Sequence, residues 1–161
     1  MMRPVTVLVC GEPLRGDDGV ANAVIQHLPP ATHSLLRIEH VGLLTPDHLL
    51  AAEGPVILLD AVDGPPAGTI VEMPLSTLRE ASDAGISPAS SHGLPLQASI
   101  EIVERLSGTP LDGRFIGVAG ADFRLGAPLS AAVHAAVPDC AQRLNHWARA
   151  LAHGTRRPTC A

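Results

Sequence analysis

The sequence predicts a single three-layer α/β/α domain, built on a mostly parallel sheet of about five strands with one antiparallel strand at an edge. Apolar, β-branched runs alternate along the chain with stretches of helical periodicity, the pattern of doubly wound folds. One run, PVILLDAVDG, is an unbroken apolar stretch of the kind buried on both faces of a parallel sheet. At 161 residues the chain is long enough for one domain with a proper core and too short for two.

Residues 4–10 form the first strand, and a helix follows over 18–28 with Val20, Val24 and Leu28 on one side. The prolines of HLPP stop it. Residues 34–39 make the second strand. Pro46 sits in the first turn of a short helix, PDHLLAAE, where its missing N–H costs nothing. The third strand is PVILLDAVDG, ending at Asp60. Only eight residues separate Asp60 from Thr69, too few for a helical crossover, so the fourth strand over 69–73 is expected to run antiparallel at an edge. Residues 76–92, with their Ser, Ala and Pro, read as a long surface loop, and such loops are usually functional. A helix from Leu94 to Leu106 leads to the fifth strand, GRFIGVAG. The last helix carries Val133, Val137, Cys140, Leu144, Trp147 and Leu151 on one stripe, and Pro138 must kink it or begin a new helix. The domain is expected to span 1–153, with 154–161 a frayed tail.

Composition narrows the function classes. Apolar residues make up 46% of the chain, with no Tyr, one Trp and two Phe, so the core is aliphatic. That scarcity of stacking faces, with a formal net charge of −5, argues against nucleic acid as a partner. Cys10, Cys140 and Cys160 lack metal-type spacing, and the N-terminus lacks the charged and apolar regions of a signal peptide. No apolar stretch approaches the roughly 20 residues of a membrane span. The expectation is a reduced, cytoplasmic monomer with no membrane association.

The stretch VLVCGEPLRGDDGVANAV has the strand, glycine loop and helix skeleton of a P-loop, with four residues between Gly11 and Gly16. Where a P-loop places Lys and Ser/Thr, however, this chain has Asp17 and Asp18. With Glu12 also nearby, such a loop repels a triphosphate and attracts a cation. Open α/β sheets bind ligands beyond the carboxyl ends of their strands. Asp18 after the first strand, Asp60 at the end of the third and His92 closing the long loop all fall there. Each has a plainer alternative: Asp18 as a helix cap, Asp60 as the start of a turn, His92 as a solvated histidine. Together, two carboxylates and an imidazole at one sheet edge make a reasonable divalent-metal site with open positions. Charge and spacing alone lead to a metal-dependent hydrolase or a metal-binding protein.

The motifs GEPLRGDDG, VILLDAVDG, SSHGLPL and VAGADFRLGAPLS, in this order, resemble the hydrogenase maturation proteases, endopeptidases that trim the C-terminal extension of the [NiFe] hydrogenase large subunit. The resemblance spans about residues 5–137. It implies a nickel-dependent endopeptidase acting on the large-subunit precursor. The family's metal-contacting and catalytic residues fall on Asp18, Asp60 and His92, and the nickel is supplied by the precursor itself. The family usually has Gly-Asn where this chain has Gly11-Glu12, and Glu12 reads as a solvated loop residue. Asp17 is open between capping the helix and hydrogen-bonding within the loop. Cys10 reads as a small buried thiol, and a nucleophilic Ser90 or Ser91 is disfavoured because residues adjacent to His92 rarely give triad geometry. Two other readings are a non-enzymatic nickel-binding or chaperone module using the same ligands, and a degenerate nucleotide-binding domain.

Overall fold

Strand β1 (Val5–Cys10) is buried along its whole length, which requires helices on both sides of the sheet that contains it. The computed structural model describes residues 2–88 and 94–154. On either side of β1 run β2 (Leu36–Gly42) and β3 (Val56–Asp63), both parallel to it. Beyond β3 lies β6 (Gly113–Ala119), also parallel, and β4 (Ile70–Pro74) closes that edge antiparallel to β6. The order is β2-β1-β3-β6-β4, with β5 (Ser87–Pro88) as a sixth, two-residue strand antiparallel to the end of β3. The mostly parallel sheet with an antiparallel edge strand is the expected one.

Strand alternation divides the interior into two cores. Val5, Val7 and Val9 share one face with Ile57, Leu59, Ile116 and Val118, under helices α1 (Val20–Gln26) and α6 (Ala131–Ala152). Leu8, Leu58 and Phe115 face the other way, against α3 (Pro46–Ala51) and α5 (Leu96–Ser107). Pro46 does open α3, behind a capping box in which the His48 ring takes the position usual for Glu or Gln and Thr45 is the cap. The other short helix, α2 (Pro30–His33), begins at the second proline of HLPP.

Four expectations are corrected. The third strand does not end at Asp60; it runs to Asp63, because Ala61 and Val62 continue the pairing with β6 and Val62 and Asp63 pair with β5. Residues 76–92 are not one loop: Leu75, Leu78 and Ala81 are buried at helical spacing, and α4 (Leu78–Asp83) forms on them. The helix expected from residue 18 begins at Val20, after a 3₁₀ turn over Gly16–Gly19. Finally, α6 passes through Pro138 as one helix, so no new helix begins there. Pro138 and His134, whose carbonyl loses its helical partner, lie on the exposed side, where water can take up that bond. The tail residues 155–161 lie outside the described residues. Among the described residues, no helix is long and apolar enough to cross a membrane.

Leu144 of α6 is fully buried in the first core. Leu144→Ala should therefore lower the unfolding free energy by about 2–5 kcal/mol, measured as a shifted urea midpoint.

Candidate active site

The chain runs from β1 outward to β2, then returns to β3 on the other side of β1, so the switch point of the sheet lies between β1 and β3. Asp18 and Asp60 meet at this crevice. The register that pairs Val9 with Leu59 sets Cys10 beside Asp60.

Asp60 is 4% exposed, inside a strand rather than at its end. Burial, and to a lesser degree the charge of Asp18, push its carboxyl up to about 8, although the Ala61 N–H donates to its Oδ1 at 2.8 Å. The same two carboxylates, after burial, hold the Cys10 thiol well above its ordinary value. Cys10 is a buried, protonated thiol, as expected.

Asp18 makes no helix cap. Its Oδ2 instead accepts the Glu12 N–H at 2.8 Å, folding the loop back on itself. Among the described residues its Oδ1 is buried with no hydrogen-bond partner, an arrangement that costs free energy unless a ligand or a further group supplies a positive charge or a donor. Gly11 makes room for this carboxylate. At φ +94° a Cβ at Gly11 would lie 2.1 Å from the Asp18 carbonyl oxygen and 3.1 Å from its Oδ1, so a side chain there would displace Asp18. Glu12 is exposed, its Oε1 accepting the Leu14 N–H at 3.3 Å, in keeping with a solvated loop residue.

Asp17 does the joining. Its Oδ2 accepts the N–H groups of Ala121 and Asp122 at 2.8 and 3.0 Å and the Ser130 hydroxyl at 2.9 Å, while Oδ1 accepts the Ser130 N–H at 2.7 Å. Burial opposes its ionisation, but these hydrogen bonds outweigh that and hold its carboxyl below the ordinary value. Of the two roles open to Asp17, hydrogen bonding is realised, and across two loops rather than within one. Ser130 was not singled out in the sequence; its only signal is its place at the end of VAGADFRLGAPLS.

His92, Ser90 and Ser91 lie outside the described residues. Among the described residues no group of three or more His, Cys, Asp or Glu side chains is placed to hold a metal ion; the structure brings two carboxylates together.

This architecture is that of the [NiFe] hydrogenase maturation proteases. The HybD maturation protease from Thermococcus kodakarensis superimposes with a TM-score of 0.72 at 20% identity, over 90% of this chain and 99% of that one. The hydrogenase maturating endopeptidase HybD from E. coli gives 0.67 at 19% identity, covering 88% of this chain and 89% of that one. The maturation protease HycI from Thermococcus kodakarensis KOD1 gives 0.64 at 21%, covering 91% and 92%. At these identities the likeness is one of fold. No protein-family profile matches the sequence, and neither does any curated protein.

Two outcomes follow from the carboxylates. Asp17→Asn would set an amide N–H against donors and should cost about 2–4 kcal/mol. The wild-type contribution is present above the unfolded carboxylate's pKa and is lost as pH falls through the depressed folded value, so the gap between the two proteins should close in acid. Asp60 has the opposite sign. Unfolded, it loses its proton near the ordinary carboxylate pKa; folded, only near about 8. The folded state binds more protons across that window, and stability falls as pH rises through it. Asp60→Asn should remove this slope and raise stability at pH 7 by at most about 4 kcal/mol, seen in urea midpoints at pH 5 and 8.

Proposed function

We propose that this protein is an endopeptidase that removes the C-terminal extension of a [NiFe] hydrogenase large-subunit precursor after nickel insertion, with Asp18, Asp60 and His92 contacting the metal. The observation that carries this reading is the Asp18–Asp60 pair at the sheet's switch point: one carboxylate has a buried oxygen without a partner among the described residues, and the other is buried beside it. A buried acidic pair is costly by itself and becomes favourable beside a cation. The fold shared with proteins named as hydrogenase maturation proteases supplies the substrate class.

Nickel belongs to the substrate in this reading. Bound in the precursor, it supplies Lewis-acid polarisation of the scissile carbonyl or the attacking water. The chain's own residues do the rest. Asp18 is held in place by the Glu12 N–H and presents its free oxygen. Asp60, with a carboxyl that titrates near neutral pH, suits a group that takes and returns a proton. Because the protease offers few ligands, it needs the precursor's own thiolates to complete the coordination shell, and so acts only on precursor already carrying nickel.

Incubation with nickel-loaded and nickel-free precursor, followed by mass spectrometry, tests this. The wild type should shorten only the nickel-loaded precursor, and preloading the protease with nickel should not substitute. Asp60→Asn should fold and cleave at least about 100-fold more slowly. Equal cleavage of nickel-free precursor would overturn the metal gate, and an uncut but bound precursor would favour the nickel-chaperone reading.

A further inference from the structure

On the loop that carries Asp18, and on the loop bonded to it, the molecule exposes two leucines that its own packing does not use. Leu14 is 68% exposed and Leu125 77%. Both are carried on backbone that is fastened down. The Gly126 N–H donates to the Leu14 carbonyl at 2.7 Å, the Gly16 N–H to the Ala127 carbonyl at 3.1 Å, and the Arg15 Nε to the Phe123 carbonyl at 3.5 Å. The Asp17 carboxylate binds the second loop from beneath. Apolar side chains held on such a mount make contacts with little further loss of backbone entropy. Leu14 is also tied to the candidate site: its N–H donates to Glu12, whose N–H donates to Asp18.

Charge qualifies the chemistry of the surface. Arg124 is neutralised by Asp122 at 2.6 Å. Arg15, exposed between Leu14 and the zipped loops, forms no ion pair among the described residues. Among the described residues the face is therefore aliphatic with one cation outside any ion pair, and the Leu14–Glu12–Asp18 hydrogen bonds connect it to the candidate site.

We propose that Leu14, Leu125 and Arg15 form the docking ridge for the precursor polypeptide beside its scissile bond, the leucines taking an aliphatic side chain and Arg15 a neighbouring carboxylate. This rests on the proteolytic reading above and adds to it the surface that selects the peptide. The ridge sets the affinity for substrate and leaves the chemical step to Asp18 and Asp60.

The test is steady-state cleavage of nickel-loaded precursor by the wild type, by Leu14→Ser with Leu125→Ser, and by Arg15→Gln, with melting temperatures recorded for each. Leu106→Ser serves as control, since Leu106 is also 68% exposed but sits at the far end of α5. The double variant should raise KM about tenfold or more with kcat within about twofold and the melting temperature unmoved. Arg15→Gln should raise KM about threefold and weaken its salt dependence. Leu106→Ser should match the wild type. If the double variant cleaves with wild-type KM, the docking ridge is overturned and the proteolytic reading stands. If the wild type neither binds nor cleaves the precursor, both fall.

Discussion

One carboxylate holds the site end of this molecule together. Asp17 is fully buried and accepts four hydrogen bonds from a segment on the far side of β6, so the loop after β1 and the loop before α6 become one body. Charge-assisted bonds to backbone N–H groups are about twice as strong as neutral ones, and here they replace the hydration of an ion that has left water. Without them the buried Asp17 charge would be left uncompensated. With them, the backbone of Asp18, one residue on, is fixed over the β1–β3 crevice.

Asp60 is the counterpart, a carboxyl whose burial is only partly answered. Among the described residues its one protein donor is the Ala61 N–H, and its charged neighbour is another acid. From Val56 to Val62 every other residue of its strand is apolar and buried, and an Ala or Val would pack there without electrostatic cost. Such a position lowers stability by itself, and in the proposed reading a cation would offset that cost.

Much of this was legible in the sequence. The apolar runs of β1, β3 and β6 declared the parallel sheet, and the short span after Asp60 declared the antiparallel edge. Asp18 and Asp60 were recognisable as acids that the sheet brings to one edge, and they do meet, although Asp60 lies within β3 rather than at its end. What the sequence hid has physical causes. The end of β3 was misplaced because an acid reads as punctuation, whereas Ala61 and Val62 remain buried in the ladder. Helix α4 and the turn before it show a single apolar line of Leu75, Leu78 and Ala81 among Ser, Arg and Glu, too short for periodicity to rise above composition. On α6 the buried line passes through Ala148 and Ala152, leaving Trp147 and Leu151 at its flank, because a helix of 3.6 residues per turn drifts from a strict alternation of three and four. The role of Asp17 was out of reach because its partners lie 104 to 113 residues away and three of its four bonds go to backbone, which carries no sequence signal.

The glycine loop shows how one backbone skeleton can serve opposite charges. A phosphate-binding loop works by leaving successive N–H groups without internal partners, so that an anion collects them. Here those donors are committed. The N–H groups of Gly11, Arg15, Gly16, Asp17 and Asp18 donate to the carbonyls of Gly42, Glu12, Ala127, Asp122 and Arg15, and those of Glu12 and Leu14 donate to the carboxylates of Asp18 and Glu12. Pro13 has none to give. A triphosphate would meet a loop whose amides are spent and whose side chains are acids, which removes the nucleotide-binding reading on two independent grounds. The same hydrogen bonds that close the loop to anions leave one buried oxygen of Asp18 without a partner among the described residues. The loop has thus exchanged a nest of donors for a single fixed acceptor, and an acceptor in that position calls for a cation.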